Sequence, residues 1–183
     1  MKLFIKKHIG LSFKNQAEIT GFYRNLLVDY PKFFKMDNLS KLGFLAAEKI
    51  FENEEKTGRE DIAVICFNRS SSLEIDAQYQ KTIQYNENYF PSPSLFVYTL
   101  PNIVTGEIAI RHRLFGETSF YVTENFDAEQ IFSIVSNAFL DKITHFVLCA
   151  WIESFEEKFD IKMFLITKEK TDMEFSKQYL FIY

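Results

Sequence analysis

The stretch that most suggests chemistry is FGETSFYVTENFDAEQIFSIV, residues 115–135, which reads as a short strand that turns abruptly into a helix. In several enzyme classes a nucleophile stands at such a corner, because a helix N-terminus carries a partial positive charge and unpaired N–H groups that stabilise a thiolate. Here the corner is Thr123-Glu124-Asn125. An amide gains no nucleophilicity from this field, so Asn125 cannot form a thioester. Its type favours a turn residue over a catalytic one.

The cysteines and histidines form no obvious constellation with this corner. Cys66 and Cys149 sit inside the apolar runs IAVICF and HFVLCA, which predicts buried free thiols in a reducing compartment. There is no CxxC and no Cys/His cluster, so we expect no metal ion and no cofactor. We interpret His112, in EIAIRHRL, as a surface or helix-end residue and place His8 and His145 at strand ends.

Two polar groupings have a structural and a functional interpretation. Ser70-Ser71-Ser72 follows a predicted strand and could bind phosphate, but without glycines a capping loop is favoured. Glu107 and Arg111 are four residues apart in a predicted helix, which favours an ion pair along that helix. In the same helix, Gly106 is expected to permit close backbone approach.

Size and composition predict one domain spanning residues 1–183. The chain has 183 residues, of which 47% are hydrophobic, and 17% are aromatic with 21 phenylalanines, so we expect a ring-filled core or interface. The net charge of -4 and the lack of a basic cluster argue against nucleic acid as a partner. The N-terminus is too short and too charged for a signal peptide, and no run approaches the roughly 18 apolar residues of a membrane span. These features predict a cytoplasmic protein.

Apolar periodicity predicts strands and helices in alternation, which indicates an α/β sheet with right-handed crossovers. We expect a five-stranded mixed sheet with helices on both faces. The predicted strands are residues 2–13, 62–67, 119–123, 145–154 and 160–167, and the predicted helices are residues 17–30, 37–56, 72–85, 102–114 and 125–140. Ser92 and Pro93 fit the start of a helical turn, and Asp127 fits the N-cap of the last helix.

Three stretches together resemble the N-terminal half of a β-ketoacyl synthase of the thiolase superfamily. KMDNLSKLGFLAAEKI, residues 35–50, is similar to a family helix that begins near Arg/Lys-Met-Asp. FPSPSLFVYTLPNIVTGEIAIRHRLFGETS, residues 90–119, is similar to the family's Ser-Pro-x-x-Phe, Pro-Asn and Gly-containing segment. ITHFVLCAWIES, residues 143–154, resembles the strand after the nucleophile helix. The likeness runs from about residue 35 to 167 and implies a thiolase-like half fold.

The resemblance also implies what is missing. The family's nucleophile is a cysteine in a Thr-Ala-Cys pattern, and Asn125 falls at its position. The family's decarboxylating histidines lie in a second half, which this stand-alone chain is expected to lack. With neither group identified, decarboxylative condensation has no visible machinery. We therefore expect no catalytic residue at this position.

Half of a two-half fold is expected to leave apolar surface exposed, which favours an oligomer. Family members pair the strand before the nucleophile in their dimers. That possible dimer strand consists here of Ser119, Phe120, Tyr121, Val122 and Thr123.

Two functional hypotheses follow. The first is a non-catalytic partner subunit in fatty acid, polyketide or polyene pigment biosynthesis. It would be a homo-oligomer, or a heteromer with a complete ketosynthase, and could contact an acyl carrier protein. The second is a small enzyme acting on acyl thioesters, a hydrolase or transferase that positions water with Asn125 or His112. A relic with no ligand is a third possibility.

Overall fold

A computed structural model describes residues 1–54, 57–156 and 158–178 of the chain. The strands are β1 Leu3–Phe13, β2 Ile62–Asn68, β3 Thr118–Val122, β4 Phe146–Phe155, β5 Lys158–Thr167 and β6 Glu174–Phe175. The α-helices are α1 Gln16–Asn25, α2 Asn38–Ile50, α3 Leu73–Gln80, α4 Pro93–Tyr98, α5 Ile103–His112 and α6 Ala128–Ala138. Single 3-10 turns occupy Pro31–Lys35 and Asn86–Asn88.

The described strands form a six-stranded mixed sheet in the order β3-β2-β4-β5-β1-β6. Strands β3 and β4 both pair in parallel with β2, and β5 is antiparallel to both β4 and β1. The α/β class is confirmed, but the count of five strands is wrong. The sixth strand, β6, is two residues long and pairs Leu3 with Phe175. So short a strand has no periodicity that a sequence could reveal.

Helices cover both faces of the sheet, as predicted, and each face has its own hydrophobic core. One core packs α1, α2 and α5 against residues such as Val64 and Cys66 of β2. The other packs α6 against the intervening β2 residues, including Ile65 and Phe67. Every residue of β2 is buried, which is the pattern of a strand covered on both sides.

Of the two helical glycines Gly43 and Gly106, it is Gly43 that allows a close approach between helices. A Cβ built on Gly43 of α2 would collide with Val104 and crowd Ile108, both on α5. A Cβ on Gly106 would meet nothing within 4 Å. The prediction for Gly106 is therefore wrong, because this glycine faces away from the helix that α5 packs against.

Candidate functional site

The strand-to-helix corner predicted from the sequence lies at the carboxyl edge of the sheet, where ligands of open α/β sheets usually bind. Strand β3 ends at Val122, and the Thr123 N–H donates to the Asn68 carbonyl at 2.9 Å. The Thr123 hydroxyl donates to the Asn125 carbonyl at 3.0 Å and so closes the turn. The Asp127 carboxylate accepts from the N–H groups of Glu129 and Gln130 at 2.9 and 3.0 Å, which confirms the predicted N-cap of α6.

This corner differs chemically from one that activates a nucleophile. Asn125 is exposed, and two N–H groups of the first α6 turn, those of Glu129 and Gln130, are already bonded to the Asp127 carboxylate. Glu124 and Glu129 add two further carboxylates within four residues of Asn125. Negative charge here opposes the formation of a thiolate or an oxyanion. The corner therefore lacks both a sulfur atom and an environment that would ionise one.

Neither cysteine of the chain can take over this role. Both thiols are free and buried, as predicted, and they lie inside strands β2 and β4. Burial raises the pKa of the Cys149 thiol to about 12. The pKa of the Cys66 thiol is also raised, mainly by burial and to a smaller extent by the neighbouring Cys149. Such thiols remain protonated and act as small hydrophobic groups.

The strand before the corner is an edge strand of the described sheet. The carbonyl of Glu117 and the N–H of Thr123 bond β2, so the odd-numbered residues of β3 direct their backbone N–H and C=O groups towards β2. Because the direction alternates along a strand, Phe120 and Val122 direct their N–H and C=O groups to the open edge. Among the described residues, no strand pairs with that edge. Val122 is also 52% exposed.

Large apolar side chains are also exposed beyond the end of α6. Leu140 and Ile143, just after α6, are 74% and 60% exposed. The inner stripe of α6 is buried at Ala128, Ile131 and Val135. The helix thus covers its own sheet with one stripe, and large apolar side chains beyond its end remain in contact with solvent.

His112 lies at the opposite end of the strands from Asn125. It ends α5, as predicted, but it is buried rather than at the surface, with its ring 4.8 Å from that of Phe51. Phe51 and His112 also line a small cavity with Ile62, the first residue of β2. Since β2 spans seven residues, about 20 Å separate its two ends. The structure does not bring Asn125 and His112 together, so they cannot act on one bond.

The predicted Glu107–Arg111 ion pair is also wrong. The Arg111 guanidinium instead binds both carboxylate oxygens of Glu48 on α2, at 2.6 and 3.1 Å. Glu107 accepts from the Tyr98 hydroxyl at 3.1 Å and pairs with Lys32 at 2.8 Å. These contacts join α5 to neighbouring elements, and buried tertiary partners displaced the local pair.

A polar cavity of about 150 Å³ at the carboxyl edge was missed from the sequence. Its walls include Asp37 and Lys41 of the α2 start and Glu74 of α3. Glu74 accepts from the Asn38 amide at 2.7 Å and from the Ser154 hydroxyl at 2.6 Å, which ties three elements together. Burial raises the pKa of Asp37 and lowers the pKa of Lys41.

The serine run beside this cavity is occupied by internal contacts. The Asn68 side chain bonds both the N–H and the carbonyl of Ser71, at 3.0 and 2.8 Å. The Ser72 hydroxyl donates to the Thr99 carbonyl at 2.7 Å. With Glu74 nearby, the surroundings favour the loop interpretation over a phosphate site.

Comparison with known proteins gives a fold but no close relative. No protein-family model matches the sequence, and no curated protein matches it. The structure of the ishigamide ketosynthase/chain length factor superposes with a TM-score of 0.76 and 14% identity, over 94% of this chain and 64% of that chain. The complex of the ketosynthase ApeO with its chain length factor ApeC, from Xenorhabdus doucetiae, gives a TM-score of 0.63 and 12% identity, over 92% and 80%.

A third similar structure contains a carrier protein. The complex AntDE:AntF, a type II PKS acyl-carrier protein with its ketosynthase bound to the hexaketide, gives a TM-score of 0.65 and 11% identity. The match covers 91% of this chain and 62% of that chain. The chain therefore has the thiolase-like fold of ketosynthases and chain length factors, and it spans 64% of the length of the first of these structures. Within the described residues, no helix has the length and apolar character to cross a membrane.

Proposed function

We propose that this chain is a non-catalytic, ketosynthase-like subunit that assembles with a complete ketosynthase. Support comes from its structural neighbours, one of which is a ketosynthase in complex with its chain length factor. In this role the chain would contribute surface and shape to the assembly, and the partner would contribute the bond-forming residues.

The observation that carries the proposal is the chemistry of the β3–α6 corner. At the place that the ketosynthase resemblance assigns to the nucleophile, Asn125 is an exposed amide, and Glu124, Asp127 and Glu129 lie within four residues of it in the sequence. The two thiols of the chain are buried in strands. A chain with this fold and no usable nucleophile can still bind, but it cannot carry an acyl group as a thioester.

The proposed interface is the open edge of β3. Its outward N–H and C=O groups can pair with a strand of the partner, since an unpaired edge is a template for strand addition. The exposed apolar side chain of Val122 would add burial to this contact. A second copy of this chain would compete for the same edge.

We place the assembly in polyketide, fatty acid or polyene biosynthesis, with an acyl carrier protein as a further partner. One neighbouring structure contains a type II PKS acyl-carrier protein bound to its ketosynthase. A cytoplasmic location fits this role and the two free, buried thiols.

The test is co-expression with the ketosynthase and the acyl carrier protein encoded nearest to its gene, followed by native mass spectrometry. We expect a defined heteromer with the ketosynthase. Val122→Pro removes an outward N–H without touching a bond to β2, and we expect it to weaken assembly by about tenfold or more. Val122→Thr keeps the N–H and the β-branched shape and should assemble normally. Failure to bind any ketosynthase, or equal assembly of both variants, would count against the proposal.

A further inference from the structure

The side of the sheet covered by α6 is open at its carboxyl end. Beyond Cys149, the β4 side chains on this face are Trp151 and Glu153, both half-buried. Their neighbours on β5, Lys162 and Asp160, are exposed. An open cavity of about 420 Å³ lies here, next to the corner described above. Its volume falls within the range of about 300–1,000 Å³ that is usual for small-ligand sites.

Two aromatic rings form the apolar walls of this cavity. Phe126 follows Asn125 directly, and its ring lies 5.2 Å from that of Trp151 at an interplanar angle of 70°. Gly10 of β1 and Trp151 of β4 both pair with Lys162 of β5, so these three residues form one row across the sheet. A Cβ built on Gly10 would meet only the Ile161 carbonyl, at 4.0 Å, so this row leaves space above the sheet.

Two carboxylates stand at the rim beside the rings. Glu153 and Asp160 are directly opposite each other on neighbouring antiparallel strands and both line the cavity. Like charges in this position normally destabilise a sheet. Glu153 accepts the Arg69 N–H at 2.6 Å, and within the described part of the chain neither carboxylate has an ion-pair partner. Lys162 offsets one of the two charges and leaves the rim negative.

We propose that this aromatic–acidic cavity, formed by Phe126, Trp151, Glu153 and Asp160, binds an organic cation of the alkylammonium or guanidinium class. The face of a tryptophan ring attracts such cations, and a carboxylate pairs with a guanidinium through two parallel hydrogen bonds. The cation brings together the two features of the site, its aromatic walls and a carboxylate pair whose charge Lys162 offsets only in part. The site does not depend on the proposed function, because it involves neither the β3 edge nor a ketosynthase.

Trp151 provides a direct readout, since it is the single tryptophan of the chain. We would titrate the full chain with agmatine and follow tryptophan fluorescence. Saturable quenching or a spectral shift is expected, with affinity at least about tenfold higher than for the uncharged analogue 1-pentanol. Equal responses to the cation and to the alcohol, or no response up to about 10 mM, would overturn the proposal.

Charge variants provide the matched controls. Asp160→Asn is expected to weaken agmatine binding about tenfold, whereas Lys162→Met should strengthen it. Asp172→Asn removes an exposed carboxylate outside the cavity and should leave binding unchanged. An equal effect of the two Asp→Asn variants would contradict a local site. If Asp160→Asn fails to fold, the comparison of agmatine with 1-pentanol on the unmodified chain decides alone.

A second ligand distinguishes the two sources of the cation. N-acetylarginine amide imitates an arginine side chain of a partner protein, whereas agmatine represents a free amine. Tighter binding of the first supports the cavity as a contact for a basic side chain, and tighter binding of the second supports a metabolite site. Binding of neither contradicts both.

Discussion

Placing a thiol at the β3–α6 corner would test whether the corner has lost more than its sulfur. Asn125→Cys puts a cysteine at an exposed position two residues before the N-cap Asp127. In a corner built for a nucleophile, the free N–H groups and the helix field would lower the pKa of this thiol. Here Asp127 occupies those N–H groups and adds its own charge. We expect the thiol to be accessible but not activated, with a pKa at or above the ordinary value of about 8.5.

The size of the carboxylate effect can be estimated from the chain geometry. Two residues of extended backbone span about 6–7 Å. A unit charge at that distance, with an effective dielectric constant of about 40–80, changes a pKa by about 0.5–1 unit. The double variant Asn125→Cys/Asp127→Ser keeps a capping side chain but removes the charge. Its thiol pKa is therefore expected to be lower than that of the single variant by about 0.5–1 unit.

The assay is the pH dependence of the reaction with iodoacetamide, and the background is low. With a pKa of about 12, about one Cys149 thiol in 10⁴ is ionised at pH 8. For ordinary exposed cysteines the ionised fraction at this pH is about one quarter. The folded wild type should therefore react about 10³-fold more slowly than Asn125→Cys. Rapid labelling of the folded wild type would refute the burial of the thiols. If the introduced thiol of Asn125→Cys has a pKa well below about 8.5 that does not respond to Asp127→Ser, the account of the corner is refuted.

The remaining predictions concern stability. Burial raises the pKa of Asp37 in the folded protein above its ordinary value of 3.8. The folded state therefore loses stability as the pH rises from about 3.8 through the pKa that Asp37 has in the folded protein. Asp37→Asn keeps a capping side chain, so at pH 7 this variant should be at least as stable as wild type, and the difference should vanish at low pH. Asp37→Ala loses the cap, and its free energy of unfolding should fall by about 1 kcal/mol. Urea unfolding at several pH values measures the stability of both variants. Arg111→Met removes the guanidinium from the buried Glu48 carboxylate, which also contacts His112 Nε2 at 3.3 Å, and we expect it to lower the stability by about 3 kcal/mol. The double change with Glu48→Leu should cost much less. Equal losses in the single and double variants would show that the pair itself is stabilising.

The features predicted correctly from the sequence are those with a local signature. The fully apolar run at residues 62–67 identifies a strand covered on both faces, and structure and sequence agree on β2. Asp127 before an apolar stripe identifies the start of α6. Ser92 before Pro93 identifies α4, where the Ser92 hydroxyl accepts the Leu95 N–H. Each of these depends on residues that are close in sequence, so a short window contains all the information.

The features that were missed or wrong depend on contacts between distant segments. Arg111 binds Glu48 across 63 positions of sequence, which no spacing rule along α5 could reveal. The polar cavity combines α2, α3 and the end of β4, and its residues look like ordinary helix starts when each is taken alone. The role of Asn125 is a different case. Its position at the corner follows from the sequence, but its assignment to the nucleophile position rests on the ketosynthase resemblance.

Whether this chain can be acylated is decided by the intact mass of each chain after the reconstituted pair is incubated with an acyl-thioester donor. We expect a covalent acyl group on the ketosynthase and an unchanged mass for this chain, while the two remain associated. An acyl adduct on this chain would contradict this expectation, because neither the exposed amide at the corner nor the buried thiols could have formed one.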